Sequence, residues 1–272
     1  NIFKMLQPYF EQETGQAFTS GIKVLVNVSV EFHELYGYSL TVLDIDPTYT
    51  VGDMERKRRE ILRQLEEEGV IDLNKELEMP MLPQRIAVIS SATAAGYGDF
   101  CNQLMNNSRD YGFYTELFPA IMQGERVEES ILSALDAIYH RLDEFDVVVI
   151  IRGGGATSDL SGFDTYLLAA SCAQFPLPII TGIGHERDDT VIDKVAHTRV
   201  KTPTAAAEYL IAKMDKCADA LDEMSARLME SVRRLLLWEH QRMERLKQRI
   251  PSAVYKRIAD AKYGLLTAQR DL

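Results

Sequence analysis

The chain holds 272 residues, 46% of them hydrophobic and 26% charged, with a formal net charge of −11. That length suffices for one large domain or two modest ones, and the acidic balance excludes a protein that holds nucleic acid by bulk positive charge alone. No apolar run approaches the ~18 residues of a membrane helix, and no signal-peptide layout opens the chain. Cys101, Cys172 and Cys217 are far apart with no CxxC spacing, and are read as thiols in a reducing cytosol rather than disulfide or metal partners. Charge is unevenly spread: residues 1–50 carry −4, 51–83 carry −3, 84–208 carry −8 and 209–272 carry +4. The tail is therefore the basic segment, either attracting phosphate or presenting an ordinary solvated helix face.

Residues 22–46 alternate in strand fashion as two β-rich runs joined by a short turn, which predicts a hairpin. A hairpin is marginal alone and needs a larger sheet. Phe32, Tyr36 and Tyr38 are available to stack on bases, although aromatics in strands more often serve a core. Residues 53–69 predict a charged helix around Ile61, Leu62 and Leu65, with Gly69 as its C-cap; the Arg56–Arg59 run either touches DNA or, the reading preferred, forms a solvated face. Leu77–Pro83, with two prolines, reads as a linker.

From there the pattern alternates β–α four times. Strands are predicted near 85–90, 114–118, 146–151 and 178–183, and helices near 98–110, 126–142, 159–174 and 188–197. Such alternation implies an α/β domain, a parallel sheet with helices on both faces. From Thr204 the chain is predicted helical, with apolar residues in heptad spacing from Leu210 to Leu228 and a four-residue slip at Val232. The Met-rich seam reads as packing. Pro251 and Ser252 are expected to end this helix and begin a second, antiparallel one. The exposed seam expects a partner, either that returning helix or another chain.

Three predicted strands end in polar, glycine-rich turns. Residues 85–89 lead into Ser90 and Ser91, residues 146–151 into Arg152, Gly153, Gly154 and Gly155, and the strand near 178–183 into Gly184, His185, Glu186, Arg187 and Asp188. In parallel sheets ligands bind beyond the carboxyl ends of strands. Glycine-rich turns before helices present free N–H groups to phosphate, which makes Ser90, Ser91, Gly153, Gly154 and Gly155 candidate phosphate contacts. Arg152 suits bidentate binding of phosphate oxygens. His185 titrates near neutrality, which suits an acid/base; Asp188 would orient it or activate water, and Asp99 would add a second carboxylate. An Asp99, Asp188, Asp189 and Asp193 set holding Mg²⁺ is a competing reading. His33, His140, His197 and His240 are read as structural.

The segments RIAVISSATAAGYGDF, DVVVIIRGGGATSDLSGFD, GIGHERD and TPTAAAE, in this order and spacing, resemble the catalytic domain of the large subunit of exonuclease VII, a bacterial single-strand DNase. Upstream, residues 20–47 and 60–83 resemble the end of that family's OB-fold and the connector after it. The resemblance implies four regions: part of an OB-fold (1–50), a helical connector (51–83), an α/β nuclease domain (84–208) and the start of a coiled coil (209–272). It implies catalytic roles for Asp99, Arg152, His185 and Asp188. It further implies cleavage of single-stranded DNA from both ends into oligonucleotides and nucleoside 5′-phosphates, without an obligatory divalent ion and with Mg²⁺ at most stimulatory. Multiple copies of a small helical subunit, self-association through the coiled coil, a cytoplasmic location and no membrane complete the expectation. Arg187, Ala92, Ala156 and Asp164 depart from the family pattern, which usually has Thr, a nearby Pro, Ser and Asn. Because the chain opens at Asn1 and ends in an unfinished helical pattern, it is read as an excised fragment. The alternative reading is a non-catalytic nucleotide- or sugar-phosphate-binding module on a doubly wound sheet, regulating through its coiled coil.

Overall fold

A computed structural model describes residues 3–14, 18, 22–34, 37–153, 160–184 and 189–270. Five parallel strands form the central sheet: β3 (Arg85–Ser90), β4 (Tyr114–Pro119), β5 (Val147–Ile151), β6 (Ile179–Gly182) and β7 (Thr198–Arg199), in the order β4-β3-β5-β6-β7. Every residue of β5 is buried, as expected of a central strand covered on both faces. Burying each such side chain is worth roughly 2 kcal/mol.

Alternation along the strands divides the core in two. Ala87, Ile89, Val148, Ile150 and Ile179 face α4 (Val127–Tyr139), α5 (Tyr166–Ala173) and α6 (Val191–Val195). Ile86, Val88, Val147, Val149, Ile151 and Ile180 face α3 (Ala95–Met105) and the first turns of α7 (Pro203–Arg270). The predicted helices thus lie on both faces, as the alternation implied. Sequence reading missed β7, whose two residues are too few to show a period.

Upstream, α1 (Phe3–Thr14) precedes an antiparallel hairpin of β1 (Leu25–His33) and β2 (Gly37–Asp46). The hairpin was expected; α1 was not. Among the described residues this sheet has two strands. Phe32 and Tyr38 face each other across it with ring centroids 5.1 Å apart, and are 65% and 78% exposed rather than in a core. Tyr36 lies outside the described residues. α2 (Pro47–Glu67) starts six residues before the predicted helix. Asp46 caps it by accepting from the Thr48 N–H at 3.0 Å, and Pro47 fits the first helical position, where no N–H is needed.

After α2 the chain is pinned through Asn74, which is fully buried. Its Nδ2 donates to the carbonyls of Phe175 and Leu177, both at 3.0 Å. Its Oδ1 accepts from the N–H groups of Ile179 at 2.9 Å and His197 at 3.0 Å. All four hydrogen bonds available to the amide are made. His197 Nε2 donates to the Leu77 carbonyl at 3.1 Å, a structural role, and burial lowers its pKa.

The chain divides into two compact units, residues 1–215 and 216–272. The second consists of the later part of α7. Its carboxylates and bases pair along the helix, as in Glu223–Arg227 at 2.5 Å and Glu239–Arg242 at 3.3 Å. Leu221, Leu228, Leu236, Met243 and Ile250 of its apolar stripe are exposed. The predicted break at Pro251 does not occur, and α7 runs through it to Arg270. An interior proline costs about 3 kcal/mol, but Arg249, Ile250, Ser252 and Ala253 supply no glycine or asparagine to cap a helix end, and a new helix would need its own nucleus. Among the described residues, no helix is long and apolar enough to cross a membrane.

Asn74→Ala leaves the buried Ile179 amide and the partly buried His197 amide without acceptors, so unfolding free energy by urea titration should fall on the order of 3 kcal/mol. A change within experimental error would show that Asn74 is not a clamp.

Candidate phosphate-binding and active site

Counted within the sheet, the strand order is 2-1-3-4-5, so connections leave β3 and β5 toward opposite sides. That divergence opens a crevice beyond the carboxyl ends of β3 and β5, where doubly wound sheets bind ligands. Ser90 and Ser91 follow from β3, and Arg152 and Gly153 follow from β5.

The crevice is closed by backbone packed on backbone. A Cβ built on Gly96, in the first turn of α3, would lie 2.9 Å from Gly153 Cα, 3.0 Å from the Arg152 carbonyl oxygen and 2.8 Å from Pro203 Cγ. A Cβ on Gly153 would lie 3.0 Å from Ala94 Cβ. Only glycines let the Arg152 turn seat itself against the start of α3. The same edge explains TPTAAAE: Thr202 Oγ1 accepts from the Ala205 N–H at 3.1 Å as the cap of α7, and Pro203 opens the helix. Ala206 and Ala207 are fully buried against the sheet. A Cβ on Gly182, at the end of β6, would meet the Thr202 carbonyl at 3.1 Å.

Arg152 is 8% exposed, and among the described residues it is the sole lysine or arginine in the buried class. The Arg152 backbone adjoins the amino end of α3, where among the described residues no side chain caps the helix and Ala94 occupies the N-cap position. An uncapped helix start leaves N–H donors and a positive dipole end for an anion. Ser91 is half-buried, its hydroxyl 3.3 Å from that of Thr93. Ser90 is fully buried at the end of β3, and its hydroxyl has no hydrogen-bond partner. Asp99 is exposed and sits four residues into α3 from Ala95 rather than in the turn.

The structure therefore brings Ser90, Ser91, Arg152 and Gly153 to one crevice, with Asp99 on the adjoining helix. Gly154, Gly155, His185 and Asp188 lie outside the described residues, as do Arg187 and Ala156. Of the carboxylates in the competing metal reading, Asp189 pairs with Lys194 and Arg199. The hydrogen bond from Lys194, helped by the charge of Arg199, holds its carboxyl below the ordinary range despite some burial. Asp193 accepts from the Thr190 N–H at 3.1 Å and hydroxyl at 2.8 Å, closing the cap of α6. Both carboxylates thus have protein partners. Sequence reading gave no role to Gly96 or Asp164, for the first of which the AAGYG run was the available signal, and it placed Arg58 on a solvated face, whereas its side chain is 22% exposed and pairs with Asp164.

A 2-1-3-4-5 parallel sheet with helices on both faces defines a doubly wound α/β protein. The family model described as "Exonuclease VII, large subunit" matches residues 70–272, and the chain belongs to that family. It is 36% identical over 226 residues to the exodeoxyribonuclease 7 large subunit of Deinococcus radiodurans, covering 82% of this chain and 54% of that one. The corresponding subunit of Lactobacillus johnsonii is 32% identical over 244 residues, covering 89% and 53%. That of Moorella thermoacetica is 33% identical over 227 residues, covering 83% and 56%. The chain thus spans about half the length of the curated relatives it matches.

Gly96→Ala should lower unfolding free energy by about 1–3 kcal/mol, because the neighbours it meets are backbone atoms and a proline ring. Gly98→Ala, two residues on in open space, should instead stabilise by about 0.5–1 kcal/mol. Equal effects in chemical denaturation would refute the close approach.

Proposed function

We propose that this chain is part of a nuclease subunit that hydrolyses phosphodiester bonds of single-stranded DNA from its ends, releasing oligonucleotides and nucleoside 5′-phosphates. The observation that carries the reading is the juxtaposition of buried Arg152 with the uncapped start of α3 in a member of the exonuclease VII large-subunit family.

The scissile phosphate binds in the crevice with its non-bridging oxygens toward Arg152, the first N–H groups of α3 and the N–H groups of Gly153, Gly154 and Gly155, with Ser90 and Ser91 along the β3 wall. Charge builds on those oxygens in the transition state, so these donors stabilise it more than the ground state. Water attacks phosphorus, the P–O3′ bond breaks, and the 3′ oxygen leaves as a hydroxyl after accepting a proton. His185 is the acid/base, Asp188 orients it or activates the water, and Asp99 is the second carboxylate. This chemistry needs no obligatory divalent ion, and Mg²⁺ at most stimulates it.

The remaining regions fit binding and assembly. Residues 1–50 belong to an OB-fold, and exposed Phe32 and Tyr38 offer faces on which bases stack. Residues 51–83 connect it to the nuclease domain of residues 84–208. Residues 209–272 begin a coiled coil whose exposed stripe takes copies of a small helical subunit or another copy of this chain. The free thiols and the substrate suit a cytoplasmic setting.

The test is single-turnover cleavage of labelled single-stranded DNA by the full-length protein with its small subunit. Arg152→Ala should cut the rate by about 10²–10³ while DNA affinity changes little, and chelation should leave wild-type activity standing. An inactive wild-type complex, or an Arg152→Ala protein that loses only binding, would favour the non-catalytic module instead.

A further inference from the structure

Asp164 follows the 3₁₀ turn Ser161–Phe163, on the far side of the glycine-rich segment from Arg152. Its two carboxylate oxygens serve two different parts of the chain. Oδ2 accepts from Arg58 Nε, on α2, at 2.5 Å, and Oδ1 accepts from the Val191 N–H at 2.8 Å. Val191 opens α6, on the far side of residues 185–188. The Asp164 side chain is 9% exposed and that of Arg58 22%.

This bond is separate from the cap of α6. The Thr190–Asp193 pair supplies a complete capping box, and Asp189 is held by Lys194 and Arg199. What Asp164 adds is a cross-link between the two points at which the chain leaves the segments bearing Gly154, Gly155, His185 and Asp188. Burial raises its pKa against the pull of Arg58 and both hydrogen bonds, and the neighbouring Asp193 carboxylate adds to the rise. A buried ion pair is weak grounds for net stability; a carboxylate kept in so unfavourable a place, with each oxygen aimed at a different segment, fixes geometry instead.

We infer that Asp164 is a positioning residue for the site, setting the separation between the chain that follows β5 and the start of α6, and that Arg58 locks this spacing to α2. α2 is continuous with the hairpin through its Asp46 cap, and Thr50 Oγ1 donates to the Lys23 carbonyl at 2.9 Å. The clamp therefore ties the N-terminal hairpin, through α2, to the chain that follows β5 and to the start of α6. The inference rests on the nuclease reading for its consequence, not for its geometry.

The test uses the full-length protein and two readouts. Asp164→Asn offers one acceptor oxygen to two donors, so the bond to Val191 or to Arg58 is lost. In Arg58→Gln the side-chain amide falls where Nε stands, so the double variant restores a complementary pair: the amide introduced by Asp164→Asn accepts from the Val191 N–H and donates to the side-chain oxygen introduced by Arg58→Gln. Asp164→Asn should lower single-turnover cleavage at least about tenfold with unchanged affinity for a single-stranded oligonucleotide. Amide exchange should rise in peptides covering 160–166 and 189–195 but not in β3 or β5, and the double variant should reverse both effects. Wild-type cleavage in Asp164→Asn, exchange spread through the whole sheet, or no rescue would overturn the inference. Should Asp164→Asn fail to fold, Arg58→Met, which spares the Val191 bond, decides: reduced cleavage at unchanged affinity supports the clamp, and unchanged cleavage overturns it. A wild-type protein that cleaves nothing would defeat the nuclease reading alone, since exchange and its rescue still decide whether Asp164 positions these segments.

Discussion

The close approach of bare backbone at the carboxyl edge of the sheet is the constraint on which the rest depends. Three glycines, Gly96, Gly153 and Gly182, lie where any Cβ would press on a neighbouring chain segment. Their lack of side chains lets the Arg152 turn, the start of α3 and the start of α7 meet at one place. Interiors are close-packed and transmit displacement, so a methyl group at Gly96 would push the start of α3 away from the Arg152–Gly153 backbone.

The two edges of the sheet divide the labour. At the amino edge Asn74 satisfies its whole hydrogen-bonding capacity, and the Asp146 carboxylate accepts from the Gln84 and Arg85 N–H groups at 3.0 and 2.8 Å. Those contacts hold strands in register. At the carboxyl edge an uncapped helix start and a serine hydroxyl with no partner among the described residues lie together. Proteins accept such costs where a ligand relieves them, which is the ground for proposing the chemistry at the crevice rather than at the better-satisfied amino edge.

Sequence periodicity located the sheet and its helices because buried parallel strands read as unbroken apolar runs, as in Val147–Ile151. The polar strand ends marked the crevice for the same reason: they interrupt those runs. What stayed hidden depends on distant partners. Asp164 and Arg58 are 106 positions apart, and neither has a local pattern that announces the other. Asn74 reaches three segments more than 100 residues away. The expected break at Pro251 applied a sound local rule, but propagation of an existing helix outweighs one proline where no capping glycine or asparagine adjoins it. Phe32 and Tyr38 were given to a core by strand propensity, which carries no information about whether further strands cover that face.

The most direct test of the central claim is a structure of the full-length His185→Ala protein with a short single-stranded oligodeoxynucleotide. The account predicts a backbone phosphate in the crevice between β3 and β5, with non-bridging oxygens within hydrogen-bonding distance of the Arg152 guanidinium and the first N–H groups of α3. DNA bound with no phosphate at that crevice, for instance along the amino edge near Arg85, would contradict it.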